Sequence, residues 1–444
     1  SSNGTMNITG NKGAGSNGNN FVIQWGGGFN IGQNETVKFS GNQQNYLNIA
    51  YQKDASKIDG ALNGRNNNIF LVNPMGVLIG TNGSIIANKF VASTIALSDD
   101  NVKTFLEKGV NFSPIFNPNK QGNIVNLGAI NAQDIVLVGN RVEINKGDVT
   151  SQNLELIGNK VYVDAGVVKN TDSVVANVEK EAIIQQSITS FEKDGALLGS
   201  SNSKFSFDNS SSIKNWTKYG SIADATEWNK FANFWNSDKN SFRSSFNHFR
   251  LIDNIDFNGV ETLIVGNNTS NAFTKSFDGS GYALKNVNIN SSNQYVGIFG
   301  VVQNSYIRNL NIQGLTIASN FNGGAYVGGI VGQNIANYDT GFENVTVNNL
   351  VINTAANTYV GGIIGWGNGS EKTINFKNVA INDISIVVKE SSYVGGIGGL
   401  IDGGNFNNVV VNNIVKLYTA GFGSKAGGLA GKVGNSKINN AYLF

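Results

Sequence analysis

The sequence predicts an all-β protein: a right-handed parallel β-helix, or β-solenoid, with an N-terminal cap and a small mixed α/β excursion from its flank. Two series of internal repeats and the composition lead to this fold class. The chain has 444 residues, with 55 glycines, 3 prolines and many asparagines. Glycine and asparagine tolerate the left-handed backbone conformations that tight turns between stacked strands require. The length exceeds one ordinary compact core, so several domains or a repeating architecture are expected.

The first repeat lies in residues 130–166. The segment INAQDIVLVGNRVEINKG at 130–147 aligns with VTSQNLELIGNKVYVDAG at 149–166 after a shift of 19 positions. Apolar and polar residues alternate within each copy, which is the period of a strand with one buried face. A short strand, a Gly-Asn corner and a second strand, repeated at this spacing, describe one coil of a parallel β-helix. A single coil cannot bury its apolar face alone, but a stack of coils can.

A second repeat fills the C-terminal part of the chain. YVGIFG at 295–300 recurs as YVGGIVG, YVGGIIG and YVGGIGG, and a weaker copy, KAGGLAG, begins at Lys425. Paired glycines in a strand allow a neighbouring backbone or side chain to approach closely. We therefore expect a second solenoid with longer coils that continues the first. The last copy is degenerate, which is expected either of a natural cap or, the interpretation that we favour, of a sequence that is part of a longer protein.

The pattern changes between the two repeats. The segment DATEWNKFANFW at 224–235 predicts a helix that is capped by Asp224, with Glu227 three residues later. Its apolar residues at i, i+3, i+4 and i+7 share one face. We thus predict three parts: a capped β-helix at 1–174, an irregular subdomain at 175–260 with a short helix near 224–236, and a solenoid at 261–444.

Four separate blocks in the N-terminal part carry a family resemblance. They are VIQWGGGFNIGQNETVKF at 22–39, SKIDGAL at 56–62, NIFLVNPMGVLIGTNGSI at 68–85 and FVASTIALS at 90–98. In order and spacing they resemble the secretion domain of two-partner secretion (TPS) exoproteins of the filamentous-haemagglutinin type. The family signature Asn-Pro-Asn-Gly-Ile stands here as Asn73-Pro74-Met75-Gly76-Val77. The family's Asn-Pro-Asn-Leu tetrapeptide is missing; the nearest string is NPNK at 117–120.

The Asn-Pro-Met-Gly segment has the composition of a tight turn. Pro74 fixes its own φ and disfavours helix at Asn73, whose side chain can bond to the backbone two residues on, and Gly76 permits positive φ. We interpret it as the corner between two strands of the first coils. The resemblance implies that this domain is recognised by an outer-membrane pore partner with periplasmic POTRA domains and nucleates folding outside the cell. We expect Trp25 and Phe29 to cover the open N-terminal end of the β-helix.

Catalytic and metal-binding interpretations find little support in the sequence. Asp253 and Asp256 would face opposite sides of a strand, and Asp99 with Asp100 follows a strand and is interpreted as a turn. The chain has one histidine, His248, so a triad or zinc site has few candidate residues. We therefore predict no catalytic residues, no metal site and no cofactor, and the chain is not expected to be an enzyme.

Binding is the favoured class of function, and the region 205–250 is the candidate surface. Aromatic and basic residues are interspersed there, and such residues are enriched at interface hot spots. The helix residues Trp228, Phe231 and Trp235 are expected to pack as core, so any contact would come from residues around them. The candidate ligand-binding residues are Lys214, Trp216, Lys218, Lys239, Arg243 and His248.

The predicted function is that of a secreted Gram-negative exoprotein, exported through its outer-membrane partner, that acts as a surface adhesin and virulence factor. The ligand would be a host-cell, matrix or serum protein or a glycan, and the protein is expected to be a monomer that binds no nucleic acid. The C-terminal repeat separately resembles the GLUG repeats of bacterial surface proteins. Two alternatives remain: a haem-acquisition protein of the same family that binds a host haem carrier, and a β-helical polysaccharide-degrading enzyme.

Overall fold

Parallel strands dominate the protein. A computed structural model describes residues 4–13, 15–114, 122–197, 203–355, 358–369, 372–390 and 392–444. Strands account for 56% of the structure and pair mainly in parallel, so the predicted all-β parallel β-helix is confirmed. Two compact units are present: Ser1–Gln186 with Leu197–Lys218, and Ser187–Ala196 with Tyr219–Phe444. Among the described residues, no helix has the length and apolar character needed to cross a bilayer.

The first unit consists of short strands that lengthen along the chain and two 3₁₀ turns, Gly109–Asn111 and Ala165–Val167. Its one long helix is α1 (Asp99–Lys108). The NPNK string at 117–120 lies outside the described residues. The strands are β1 (Thr5–Ile8), β2 (Ser16–Asn17), β3 (Asn20–Trp25), β4 (Thr36–Phe39), β5 (Asn45–Ala50), β6 (Ser56–Ile58), β7 (Ala61–Asn63), β8 (Asn68–Val72), β9 (Gly76–Ile79), β10 (Ser84–Ser93), β11 (Asn123–Asn126), β12 (Ala129–Ile144), β13 (Val149–Thr150), β14 (Asn153–Asp164), β15 (Val168–Lys169), β16 (Ser173–Ser187) and β17 (Phe205–Phe207).

Most of these strands stack in parallel along three faces, whereas β2 pairs antiparallel with β3. One face runs β3, β5, β8, the end of β10, β12, β14 and β16. A second runs β1, β4, β7 and the start of β10, and a third runs β6, β9, β11 and the end of β12. Each paired residue of β14 follows its β12 partner by 19 positions, with Val138 opposite Ile157 and Gly139 opposite Gly158. The 19-residue coil predicted from the sequence is therefore confirmed.

Helix α1 corrects one sequence prediction. Asp99 and Asp100 do not form a turn after a strand but begin this helix. Ser98 caps it, because its hydroxyl accepts from the backbone N–H of Asn101 while the Asn101 side chain accepts from the backbone N–H of Ser98. Two carboxylates in the first turn also suit the positive end of the helix dipole.

The helix covers an apolar outer face of the first unit. Phe105 is fully buried, with its ring centroid 5.3 Å from that of Phe70 and 5.7 Å from that of Phe112. β5 and β8 are consequently buried on both faces, which explains the continuous apolar run Ile69–Val72 in place of strict alternation. The outer cluster consists of Leu47, Ile49, Phe70, Val72, Val91, Phe105 and Phe112.

The second unit begins with helical elements and continues into long coils. Its helices are α2 (Ile188–Asp194), α3 (Ala225–Ser237) and α4 (Phe242–Ser245), with 3₁₀ turns at Lys239–Ser241 and Thr269–Asn271. The strands are β18 (Thr217–Ile222), β19 (His248–Leu251), β20 (Ile255–Asp256), β21 (Ser276–Asp278), β22 (Ala283–Ser291), β23 (Tyr295–Val296), β24 (Phe299–Gln303), β25 (Tyr306–Ser319), β26 (Ala325–Gly328), β27 (Val331–Ile335), β28 (Thr340–Thr354), β29 (Thr358–Gly361), β30 (Ile364–Asn368), β31 (Ile374–Val388), β32 (Tyr393–Gly395), β33 (Gly398–Asp402), β34 (Gly404–Thr419), β35 (Lys425–Gly427), β36 (Ala430–Gly434) and β37 (Lys437–Leu443).

The helix predicted near 224–236 is α3. Asp224 caps it by accepting from the backbone N–H of Glu227 at 2.8 Å. The Glu227 carboxylate does not complete a capping box; it accepts from the backbone N–H groups of Ala223 and Thr189, each at 3.0 Å. Trp228 and Trp235 are fully buried, as expected for core residues.

The C-terminal repeats stack in register. Tyr295 lies opposite Tyr326, Tyr326 opposite Tyr359, Tyr359 opposite Tyr393, and Tyr393 opposite Lys425. The next residue in the first four copies is a fully buried valine. The paired glycines permit close approach, because a Cβ on Gly328 would overlap the carbonyl oxygen of Val331. The copies therefore stack as parallel strands in register, whereas the predicted division of the chain, with a second solenoid at 261–444 and boundaries at 174 and 260, stays a prediction.

Asparagines turn the corners of these coils. Asn309, Asn344, Asn378 and Asn408 occupy equivalent positions in successive long strands, and all have a positive φ, between 52° and 58°. The side-chain amide of each of the last three donates to the side-chain oxygen of the previous one, at 2.8–3.0 Å. Each residue in this asparagine ladder therefore supplies a left-handed corner and a hydrogen bond between coils.

Candidate functional site

The Asn73–Val77 motif forms a tight turn between β8 and β9. The backbone N–H of Gly76 donates to the carbonyl oxygen of Asn73 at 3.0 Å. The backbone N–H of Met75 donates to Asn73 Oδ1 at 2.9 Å. A β-turn and a side-chain turn are thus superimposed, as the residue types predict.

Asn73 also connects the turn to both neighbouring coils. Its side chain is completely buried, and its Nδ2 donates to the carbonyl oxygen of Asp54 at 3.1 Å and to Ser56 Oγ at 3.0 Å. Its backbone N–H donates to the carbonyl oxygen of Ser93 at 3.0 Å. This one residue therefore joins three successive segments of the first unit.

The remaining motif residues differ in exposure. Val77 is buried and pairs with Ser56 on one side and Ile124 on the other. Gly76 has φ +128°, and a Cβ there would lie 2.8 Å from the carbonyl oxygen of Asn123. Met75 is 53% exposed. The position at which this chain departs from the family's second asparagine is thus the one that faces solvent, where a change of side chain disturbs no packing.

Trp25, the last residue of β3, and Phe29, which follows the strand, lie together. Their ring centroids are 5.1 Å apart in an edge-to-face arrangement, and Phe29 is 2% exposed. Trp25 Nε1 donates to Asn48 Oδ1 at 3.1 Å, and the Phe29 backbone N–H donates to Gln52 Oε1 at 2.9 Å. Both residues are anchored to the β5 coil, and their capping role stays a prediction.

Three of the six candidate ligand residues lie in the first unit. Trp216 is 7% exposed and packs edge-to-face on Phe205, in the core. Lys214 is exposed, and its Nζ donates to the carbonyl oxygens of Asp208 and Asn209. Lys218 is half-buried. Of these three, Lys214 offers the most accessible charge.

The other three lie in the second unit. Lys239 is exposed and places Nζ 4.8 Å from the ring centroid of Phe234. Arg243 is half-buried, and its guanidinium donates to the carbonyl oxygens of Trp235 and Asn236 at 2.7 and 3.0 Å. His248 is half-buried too. Arg243 therefore hydrogen-bonds to carbonyl oxygens at the C-terminal end of α3. This contact explains the position of its side chain, so no ligand is needed to explain it.

His248 and Glu155 are among the groups whose pKa values are displaced. Burial lowers the pKa of His248, and the positive charges of Arg308 and Lys275 add to the effect. Burial raises the pKa of Glu155, with a further contribution from the negative charge of Asp208. Across the residues that the structure describes, no three histidine, aspartate or glutamate side chains are grouped as metal ligands would be.

The structure brings together one set of aromatic residues to which sequence analysis assigned no function. We call Tyr295, Tyr326, Tyr359 and Tyr393 the tyrosine ridge. Successive ring centroids are 5.4, 5.6 and 5.3 Å apart, and all four side chains are half-buried. Burial raises the pKa of Tyr326, as do its neighbours Tyr295 and Tyr359. The YVGG repeat was the sequence signal for this row.

A family model, the TPS secretion domain, matches residues 1–233. This match covers more than half of the chain and includes the whole first unit. The chain belongs to the TPS secretion domain family. No curated protein matches it.

Family membership determines how the TPS exoprotein leaves the cell. A TPS secretion domain directs export through the outer membrane to the cell surface or extracellular space of Gram-negative bacteria. It implies an outer-membrane TpsB transporter as the partner. The TPS exoprotein is therefore a secreted two-partner secretion protein that carries a parallel β-helix.

Proposed function

We propose that this TPS exoprotein is an adhesin that binds a host-cell or matrix ligand after export. The observation that carries the proposal is the tyrosine ridge. The family match covers residues 1–233, whereas the coils beyond it keep a row of half-exposed aromatic rings in register. A row of this kind is not needed to close the core, since the neighbouring valines are already fully buried. Members of the family are also typically non-enzymatic.

Export is proposed to depend on the turn formed by Asn73, Pro74, Met75, Gly76 and Val77. Because this turn needs few distant contacts to begin forming, it suits a segment that folds early, and long-range strand pairing is slow. The turn or the strands beside it would meet the periplasmic POTRA domains of the TpsB transporter. The test measures release of the wild-type chain and of Asn73→Ala/Pro74→Ala in a host with or without TpsB. Release of the double variant at the wild-type level would contradict this role.

Adhesion is tested with the purified full chain. We expect it to attach to cultured host cells or to immobilised matrix protein. We expect this attachment to saturate as the protein concentration rises. Lys214→Ala and Lys239→Ala test the exposed residues of the candidate surface at 205–250, with Arg243 and His248 left in place because they are half-buried. A loss of attachment in either variant would locate the ligand surface there.

The two alternatives give different outcomes in the same preparation. Selective capture of a serum haem carrier without attachment to cells would replace the adhesin with a haem-acquisition protein. Release of reducing sugar from a polysaccharide would indicate an enzyme, and Glu155 beside Asp208 would be the first residues to substitute.

We also propose that the C-terminal copies are GLUG-type repeats, for which the in-register Tyr-Val-Gly-Gly strands are the support.

A further inference from the structure

The tyrosine ridge separates two grooves on the second unit. One groove, of about 300 Å³, is lined by ridge residues together with the hydroxyl-bearing Thr358 and Ser392. The other, of about 430 Å³, has Tyr326 and Tyr359 along one side. Tyr326 and Tyr359 thus line both depressions.

The larger groove combines aromatic and planar polar groups. Trp366 lies in it, with its ring centroid 5.1 Å from that of Tyr326 at an interplanar angle of 31°. Asn368, Asp402 and Lys432 also line it. Apolar walls with a few convergent polar groups are typical of small-ligand sites. The carboxylate of Asp402 is negative and the ammonium group of Lys432 is positive, so these two residues together give the groove no net charge.

Trp366 has no aromatic counterpart at the equivalent position of the adjacent coils, although its ring packs on those of Tyr326 and Tyr359. The tyrosines repeat at equivalent positions and stabilise one another as an aromatic row. The residues equivalent to Trp366 in the adjacent coils are Gln333 and Leu400, which are not aromatic. Trp366 is half-exposed, so its ring adds apolar surface to the groove without completing a row.

We propose that the tyrosine ridge and the larger groove bind a neutral, extended polysaccharide whose chain runs along the direction in which the coils stack. The ridge tyrosines turn their ring faces toward one another, so the apolar C–H groups of a sugar would contact the rims of these rings and the half-exposed Trp366. The vicinal hydroxyls of the sugar would pair with carboxylate and amide groups such as Asp402 and Asn368. The ring spacing along the ridge, 5.3–5.6 Å, is close to the length of one sugar unit in an extended chain. Successive coils could then contact successive sugars. This inference rests on the proposed adhesin function and specifies its ligand class.

The experiment titrates the full chain with cellohexaose and with chitohexaose, and measures binding by calorimetry and by tryptophan emission. Heparin is the sulfated comparison and an extended neutral peptide is the protein-like comparison. The variants are Trp366→Ala, Tyr326→Ala and Asn368→Ala. The matched control is Tyr338→Ala, because Tyr338 is 70% exposed in the same unit and does not line either groove. Circular dichroism and thermal unfolding check that each variant is folded.

We expect at least one neutral hexasaccharide to bind, with Trp366→Ala and Tyr326→Ala each weakening binding by about tenfold or more. Asn368→Ala, which leaves the aromatic wall intact, should weaken it less, and Tyr338→Ala should not change it. Binding of neither hexasaccharide, or equal binding by folded Trp366→Ala, would overturn the proposal. A preference for heparin or for the peptide would overturn it as well.

The outcome is separable from that of the adhesin proposal. If the wild-type chain attaches to cells while no hexasaccharide binds, the adhesin proposal stands and the glycan inference fails. If hexasaccharide binds but no cell or matrix attachment is seen, the groove is a glycan site and the adhesin proposal fails.

Discussion

The side-chain amide of Asn73 donates to the hydroxyl oxygen of Ser56 at 3.0 Å, from one coil to the previous one. A residue that defines a local turn is therefore also held by a contact 17 positions back in the chain. The turn can begin to form by itself, but its final position depends on the coil beneath it. Local and non-local stability can be separated at this residue by substitution.

Asn73→Ala should reduce the free energy of unfolding of the first unit by about 2–3 kcal/mol, because it leaves the buried Ser56 hydroxyl and the carbonyl oxygen of Asp54 without this donor. Denaturant unfolding measures the change. Met75→Ala is the matched control within the turn, since Met75 is 53% exposed, and it should alter stability by less than about 0.5 kcal/mol. Equal effects of the two substitutions would show that the buried side-chain amide of Asn73 does not contribute to the stability of the first unit.

Gly76→Ala should destabilise by about 1–3 kcal/mol, because the backbone has φ +128° and the added Cβ would crowd the Asn123 carbonyl at 2.8 Å. Gly26→Ala is the control, since a Cβ there would meet no atom within 4 Å. The measurement is the denaturant midpoint of both variants. A Gly76→Ala protein as stable as the Gly26→Ala protein would contradict the strain argument.

The asparagine ladder allows backbone and side-chain contributions to be compared at one position. Asn344→Gly keeps the left-handed corner and removes the side-chain hydrogen bonds, whereas Asn344→Ala removes both. We expect Ala to cost about 1–2 kcal/mol more than Gly, which is the cost of a left-handed conformation for a residue with a Cβ. Thermal unfolding of the two variants gives the comparison. Equal stability of the two variants would mean that the positive φ at position 344 does not penalise a residue with a Cβ.

Stability should fall as the pH drops below about 6.5, the ordinary pKa of histidine. The folded state lowers the pKa of His248, chiefly by burial, so the unfolded chain takes up a proton at higher pH than the folded chain does. The favourable contribution is present above the unfolded pKa and is lost as the pH falls through it toward the folded pKa. Because His248 is the only histidine, His248→Gln should flatten this part of the pH profile. An unchanged profile in that variant would assign the effect to other groups.

The repeats were predictable because equivalent residues of successive coils lie opposite each other in the paired strands. The 19-residue shift and the spacing of the YVGG copies appear directly in the register of β12 with β14 and of β23 with β26. Helix α1 was missed because Asp99 and Asp100 have the composition of a turn. The reciprocal pair Ser98 and Asn101, followed by an apolar residue at Phe105, was the available signal.

The binding surface was less predictable than the fold. The aromatic-rich segment 205–250 has the composition of a hot spot, yet the candidate ligand residue Trp216 is buried, as are Trp228 and Trp235, which the helix pattern predicts as core. The tyrosines of the ridge look like ordinary repeat residues, yet they are half-exposed. Exposure depends on which face of a coil each residue occupies, and sequence alternation alone does not tell which aromatic side chains remain uncovered.

In-register stacking also affects how the gene for this protein can change. Each coil of the second unit presents to the next coil nearly the same tyrosine, valine, glycine and corner asparagine that it receives from the one before. Loss of one whole repeat, residues 326–358, would place Tyr295 against Tyr359 and restore the same contacts. Recombination between repeats can therefore shorten or lengthen the protein in steps of one coil, and a single extra residue can be absorbed within a coil, as at the register shift between Ile384 and Ser385.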